Sequence, residues 1–350
     1  MDSNKKTFVN QIRDGQHVED LFLLKEMSRA ETRSGKPYLI LTVMDRSGEL
    51  PARLWDNADA LLPECKPGSL VSIAGLAQTY RETLQLKVDT VKNVAAEGQD
   101  MLLFLPSSCL DIDDMATRVV SLAQSITEPN YRKLLLKFFN DSSFFADFQV
   151  APAAKNMHHA YLGGLLEHTL SVSRLAEAVA GLYPTLDRDL LLTGSLLHDI
   201  GKVAELSFHS YPFNYTDQGR LVGHLVLGVT MVQDRINSIT DFPDKLAMRL
   251  QHLVLSHHGR YEFGSPTLPM MGEAFVLNFL DDLDAKLNFM GRLEEHAAEE
   301  GYQWSDFQRT LDRFLFIKGR PHQEDNGSDH ADDRDMEENQ SINSQQQNLF

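Results

Sequence analysis

Cysteine is nearly absent. The 350 residues hold two, Cys65 and Cys109, with neither metal nor redox spacing, so a disulfide framework is excluded and a reducing cytoplasm is expected. No apolar run approaches the about 20 residues of a membrane span. The opening "MDSNKKTFVNQIRDG" lacks the apolar core of a secretory signal. Positive charge is also scarce. Lys and Arg number 33 against 50 Asp and Glu, a formal net charge of −17, which argues against a simple basic glove for nucleic acid.

The deficit is uneven. Residues 321–350 hold eight acids against one Arg, whereas residues 1–100 hold fifteen acids against thirteen bases. The N-terminal third is therefore the place where a local cationic face is available. A hydrophobic content of 42% supports a sizeable core, and the length suggests two domains with a tail.

Residues 18–94 read as β. "KPYLILTVMDRSGEL" and "ELPARLWD" form a hairpin about an Asp-Arg-Ser-Gly turn. "LVSIAGLAQTY" and "LQLKVDTV" follow, the latter alternating cleanly, and "VEDLFLLKEMSRAET" precedes them. With a short helical insert at "NADALLPEC", five strands suit an OB-type Greek-key barrel over residues 1–95. Beyond it the apolar spacing becomes three and four. Residues 96–150 read as a linker and helical connector and 151–320 as an all-α bundle, with Pro129, Pro152, Pro184, Pro212 and Pro243 at helix boundaries. "GEAFVLNFLDDLDAKLNFMGRLEEHAAEE" is the longest helical pattern. The polar, acidic, Gln/Asn-rich stretch 321–350 reads as a disordered tail.

Within the helical part, "LLTGSLLHDIGKVAEL" sets His198 beside Asp199 at the end of an apolar run. Such a pair either caps a helix or ligates a metal. Nine of the thirteen histidines fall between 158 and 258, far above an even spread, and "NFLDDLDAK" adds Asp281, Asp282 and Asp284. Imidazole and carboxylate hold Mn, Fe, Co, Ni or Zn without thiolate. The spacings, about one helix apart, are those with which facing helices build a shared site.

The ordered set His168, His198-Asp199, Asp281 resembles the H…HD…D motif of the HD-domain metal phosphohydrolases. His224 and His257-His258 resemble the subset of that superfamily with extra histidines, which holds two metals. More narrowly, "HHAYLGGLLEHTLSV", "LLHDIGK", "SHHGRYEFGSP" and "EAFVLNFLDDLDAK" resemble the YhaM-type 3′→5′ exoribonuclease family, whose members carry an OB-type domain ahead of the HD domain. The resemblance implies a metal-dependent phosphodiesterase acting on single-stranded RNA, with single-stranded DNA as a second substrate to be weighed. It implies His168, His198 and Asp281 on one metal, His224, His257 and His258 on the other, and Asp199 as the bridge. Mn²⁺ is the leading ion, with Co²⁺ or another transition metal as the alternative.

Lys202 is expected to meet a phosphate oxygen, with Gly201 easing the helix exit that puts it there. His158 and His159 are weighed as phosphate contacts and Asp284 as support for the ligands. In the barrel, Phe22, Tyr38, Trp55 and Tyr80 are candidate platforms for bases, with Arg33, Lys36, Arg53 and Arg81 nearby. Two other readings stay open: an HD phosphohydrolase of free nucleotides with a regulatory barrel, and a nucleic-acid-binding protein whose HD site only stabilises the fold. The sequence also leaves a homo-oligomer open.

Overall fold

A computed structural model describes residues 5–319 apart from 33, 57–64, 81–82, 98, 156, 209–210, 296 and 298–299. The chain divides into two compact units, Met1–Gly291 and a second that begins at Arg292. The first unit opens with β1 (His17–Glu31), β2 (Pro37–Asp45), β3 (Gly48–Leu54), β4 (Leu70–Tyr80) and β5 (Thr83–Val94). These close into a barrel in the order β1-β2-β3-β5-β4. The β3–β5 pairing is parallel and the others antiparallel, the five-stranded OB arrangement.

Alternation decides the inward face. In β3, Leu50, Ala52 and Leu54 are buried while Pro51 and Arg53 point out. β1 breaks this rule at Phe22, Leu23 and Leu24, all fully buried. Phe22 and Leu24 line the barrel, whereas Leu23, with Met44 and Leu70, enters the core of the helical part. Gly75 sits where β4 shifts register against β5. A Cβ there would stand 2.3 Å from the Lys87 carbonyl oxygen, so only glycine permits the approach. The expected helical insert over 57–65 lies outside the described residues, except Cys65, which is buried.

The helices are α1 (Ile112–Ser125), α2 (Pro129–Phe139), α3 (Ser142–Val150), α4 (Gly164–Leu182), α5 (Arg188–Leu197), α6 (Lys202–Glu205), α7 (Asp217–Leu221), α8 (His224–Asn237), α9 (Asp244–Ser256) and α10 (Gly272–Glu295). Aspartates stop three of them at their N-termini: Asp111, Asp141 and Asp187 each accept a backbone N–H of the first turn. Pro129 occupies the first turn of α2 and Pro243 precedes α9. The expected connector 96–150 is more than a spacer. Met115, Val119, Phe138 and Phe148 are buried in one core with Leu166 of α4 and Leu191 of α5.

The pattern expected to stay helical to residue 300 ends at Glu295. Residues Gly301–Trp304 and Phe316–Gly319 instead pair as an antiparallel hairpin in the second unit. Four-residue strands are too short for a periodicity count to detect. Among the described residues no helix is long and apolar enough to cross a membrane. The acidic stretch 321–350 lies outside the described residues.

Candidate metal centre

Five helices bring the candidate ligands together. His168 is on the first turns of α4 and His198 caps the C-terminus of α5, with Asp199 next in the chain. His224 opens α8, His257 caps α9 and is followed by His258, and Asp281 and Asp284 share one face of α10. α5 and α9 end alike. His198 Nδ1 donates to the Ser195 carbonyl and His257 Nδ1 to the Val254 carbonyl, each three residues back and each at 2.8 Å. His258 Nδ1 donates to the Phe263 carbonyl at 2.8 Å. A carbonyl only accepts, so in these three rings the proton sits on Nδ1 and Nε2 offers a lone pair.

Carboxylates aim the remaining two rings. His224 Nδ1 meets Glu205 Oε1 at 2.9 Å and His168 Nδ1 meets Asp284 Oδ2 at 2.7 Å. All five Nε2 atoms then face one another's neighbourhood. His168 and His198 Nε2 are 3.2 Å apart, as are those of His224 and His258.

Asp199 lies between the two groups. Its Oδ2 is 3.4 Å from His198 Nε2 and 3.6 Å from His168 Nε2. Its Oδ1 is 3.4 Å from His257 Nε2 and 3.5 Å from His224 Nε2. Asp281 Oδ1 stands 3.1 Å from His168 Nε2 on the first side. Metal–ligand bonds of about 2.0–2.2 Å put ligand atoms on one ion roughly 3 Å apart, close to these separations.

Asp199 is buried, and neither of its oxygens, nor His257 Nε2, makes a hydrogen bond. Lys202 Nζ is 2.5 Å from Oδ2, so that oxygen has an ammonium partner, while Oδ1 and His257 Nε2 have none. Unsatisfied buried carboxylate and imidazole atoms are costly unless a cation completes them. Among the described residues four overlapping sets of three donors each lie close enough to share an ion: His168/His198/Asp281, His224/His257/His258, His198/Asp199/His257, and His159/His168/Asp284. The donor chemistry fits divalent metal.

The electrostatics agree. Burial alone would raise the Asp199 carboxyl, but Lys202 and the imidazoles hold it well below the usual carboxylate range. Burial likewise opposes at Asp281, and His168, His257 and His198 together outweigh it, holding that carboxyl below the usual range. Burial, reinforced by His258, pushes His257 down to about 3, which keeps it in the neutral, ligating form. At His168 burial is overcome by the hydrogen bonds to Asp281 and Asp284, which raise it to about 9.

Several surrounding residues have roles other than those expected. Gly201 has φ −64°, open to any residue, so no special helix exit is involved. It is needed because a Cβ would stand 2.1 Å from the His224 carbonyl oxygen. His159 is buried with both nitrogens committed, Nδ1 to Tyr161 Oη at 2.8 Å and Nε2 to Asp284 Oδ2 at 2.9 Å. The structure therefore places it behind the ligands, bracing Asp284 and through it His168, rather than on a phosphate-facing surface. Asn288 fixes this brace by accepting the His159 N–H at 2.9 Å and donating to Tyr161 Oη at 3.1 Å.

His158 is half-buried, with Nδ1 lacking a partner and its ring 5.5 Å from that of His168. Burial lowers it to about 3. Asp282 points away and pairs with Lys286 on the surface. Glu205, Tyr161 and Asn288 carry no sequence signal for these roles. Glu205 meets a histidine 19 positions away, and a contact across that distance has no spacing rule.

On the barrel, Tyr38 and Trp55 stack on each other, centroids 4.5 Å apart and planes 21° apart. They share the outer side of β2 and β3 with Arg53, which pairs in register with Ile40 of β2 and Lys87 of β5. Arg53 Nε donates to Gln85 Oε1 at 3.1 Å. Tyr80 is exposed at the end of β4. Lys36 pairs with Asp56 at 2.6 Å. Arg33 and Arg81 lie outside the described residues. Phe22 is no platform for a base: it is fully buried in the barrel, with the Lys5 ammonium 3.9 Å from its ring centroid.

The HD domain family matches residues 165–286, and the OB-fold nucleic acid binding domain family (tRNA_anti-codon) matches residues 25–94. The sequence is similar to the 3′-5′ exoribonuclease YhaM of Bacillus subtilis (strain 168), 35% identical over 289 residues that cover 82% of this chain and 91% of that protein. It is 36% identical to the 3′-5′ exoribonuclease YhaM of Bacillus pumilus (strain SAFR-032) over 292 residues, 82% of this chain and 91% of the relative. Among solved structures, the second OB-fold domain of replication protein A from Methanococcus maripaludis aligns at 14% identity and TM-score 0.21, over 25% of this chain and 91% of that one, too faint a likeness to add to the barrel's own topology.

Proposed function

We propose, for a chain that belongs to the YhaM 3′-5′ exoribonuclease family, that it removes nucleotides one at a time from the 3′ end of single-stranded RNA and releases nucleoside 5′-monophosphates. The observation that carries the reading is Asp199, buried between two sets of three donors with Oδ1 unpartnered and Oδ2 met by the Lys202 ammonium. His168, His198 and Asp281 would hold one divalent ion, His224, His257 and His258 a second, and Asp199 would serve both. Mn²⁺ suits so imidazole-rich a set better than Mg²⁺, which prefers oxygen ligands and retains water. When bound, such ions supply positive charge to the phosphodiester and lower the pKa of water.

The chain's own groups complete the reading. Lys202, held beside Asp199, adds a fixed positive charge where a phosphate would enter. His158 Nδ1, unpartnered but buried beside His168, would meet the same phosphate once the site admits it. The barrel's outer side, with Arg53, Lys87 and the Tyr38–Trp55 pair, suits a single strand, which OB folds bind by stacking and a cationic groove. These groups address the phosphodiester and the bases, not the 2′-hydroxyl, so single-stranded DNA of the same length is a second substrate. The two cysteines of the sequence support a cytoplasmic setting.

The test compares 5′-labelled single-stranded RNA, the matching DNA and free nucleoside triphosphates, each with Mn²⁺. The expected result is a ladder that shortens from the 3′ end. Hydrolysis of the triphosphates with intact oligonucleotides would instead favour a free-nucleotide phosphohydrolase. Binding without cleavage would favour a non-catalytic nucleic-acid-binding protein.

A further inference from the structure

The segment after His258 forms a compact turn whose side chains none of the roles above uses. Gly259 and Gly264 both adopt left-handed φ values, +73° and +87°. Between them Tyr261–Phe263 make a single helical turn. Three backbone hydrogen bonds lock it: Phe263 and Ser265 N–H to the Arg260 carbonyl, each at 3.2 Å, and Gly264 N–H to the Tyr261 carbonyl at 2.9 Å. The turn is joined to the candidate metal centre by one imidazole. His258 Nδ1 binds the Phe263 carbonyl at 2.8 Å while His258 Nε2 faces His224 Nε2 at 3.2 Å.

This rigid turn nevertheless leaves two rings uncovered. Tyr261 and Phe263 are each 60% exposed. The Arg260 guanidinium lies 5.7 Å from the Phe263 ring centroid, so a cation accompanies the aromatic surface. Ser265, at the end of the turn, is buried with a hydroxyl that lacks a hydrogen-bond partner. Aromatic rings left in water on a pre-ordered backbone, with an adjacent cation, are the elements with which proteins stack nucleobases and hold the following phosphate.

We infer that Tyr261 and Phe263, backed by Arg260, form a base-stacking subsite for the 3′-terminal nucleotides of a single-stranded substrate. This rests on the exoribonuclease reading above. The occupant is a nucleobase because every base offers a π-face, which serves an enzyme that must accept any terminal base. Arg260 complements the phosphate next to it. Glu262 on the same turn is exposed and offsets the Arg260 charge, so the subsite contributes by stacking rather than by net charge. Its rigid link to His258 keeps the stacked base in register with the scissile phosphate.

The experiment is a substrate–enzyme cycle on the full chain with Mn²⁺. KM is measured for a single-stranded oligoribonucleotide and for the same oligomer carrying two abasic residues at its 3′ end. Wild type, Tyr261→Ala and Phe263→Leu are compared, with Phe263→Trp as the aromatic rescue. The wild type is expected to show a KM roughly tenfold higher on the abasic oligomer. That ratio should collapse toward one in Tyr261→Ala and Phe263→Leu and return in Phe263→Trp. Binding of the same oligomers without metal, by fluorescence anisotropy, should show the same coupling. An abasic penalty that persists in both ring-deleted variants overturns the subsite, as does a changed oligomeric mass of the variants in light scattering, which would make the rings a protein contact. If wild type cleaves no oligonucleotide, the exoribonuclease reading fails, and the anisotropy cycle alone decides the subsite.

Discussion

Glu205 Oε1 accepts two hydrogen bonds from the same residue, His224: from its backbone N–H at 3.0 Å and from its Nδ1 at 2.9 Å. One carboxylate thus caps the start of α8 and turns a candidate ligand toward Asp199. Burial would raise this carboxyl, yet the His224 contacts lower it, so it stays charged and keeps the Nδ1 proton in place. Glu205→Ala should weaken metal at the His224/His257/His258 group by about 10–100-fold and leave the other group nearly unchanged. Glu205→Gln should retain most of the affinity. Titration followed by isothermal calorimetry, with stoichiometry from mass spectrometry, checks both.

Asp199 is the residue whose loss should be felt at both groups. Asp199→Asn keeps the volume and removes the charge. It should abolish detectable cleavage and reduce bound metal while leaving far-UV circular dichroism unchanged. Asp282→Asn, on the surface beside Lys286, should stay within twofold of wild type. Retained cleavage in the Asp199 variant would refute the arrangement drawn here.

His168 sets a pH dependence. Its folded-state pKa, raised to about 9, exceeds the unfolded value, so the metal-free protein carries a proton there at pH 7.5. The stability this gives the metal-free fold is fully present below about pH 6.5 and is lost as pH rises through 9. A metal on Nε2 must displace that proton. Metal uptake at pH 7.5 should therefore release about one proton at this group, and affinity should rise up to tenfold per pH unit until about pH 9. Calorimetry in buffers of different ionisation enthalpy measures the release. Buffer-independent heats would show that His168 is neutral in the metal-free protein.

The barrel contributes binding that point variants can isolate. Its Leu23, Met44 and Leu70 lie in the core shared with the helices, so deleting residues 1–95 would strip that core as well as the binding face. Trp55→Ala should instead cost about 1–3 kcal/mol of single-strand affinity if the ring stacks on a base. Arg53→Gln should lower the slope of log affinity against log salt by about one. Anisotropy at several salt concentrations separates the two, since stacking leaves the slope untouched.

The sequence made some of this legible and hid the rest for physical reasons. Period-two alternation in "LQLKVDTV" marks a strand because one face must be buried, and β5 lies there. The motif residues His168, His198, Asp199 and Asp281 come together because His168 and Asp281 sit on helices, and His198 and Asp199 directly follow one, that the apolar pattern orients. The contacts of Asn288 with His159 and Tyr161, and the Glu205–His224 bond, join positions 19 to 129 residues apart, beyond any local periodicity. Phe22 misleads because an aromatic in a small barrel looks the same in sequence whether it faces in or out, until its neighbours on both sides are known to be buried. The hairpin at 301–319 escapes because its strands are four residues long.

The most direct measurement is cleavage rate against added Mn²⁺ on exhaustively chelated full-length protein, using a 5′-labelled single-stranded RNA resolved at single nucleotides. With two donor groups sharing Asp199, shortening from the 3′ end should be absent in EDTA, stay low at one equivalent of bound metal and reach its plateau at two. Cleavage that persists in EDTA, or that reaches its full rate with a single bound ion, would contradict the account.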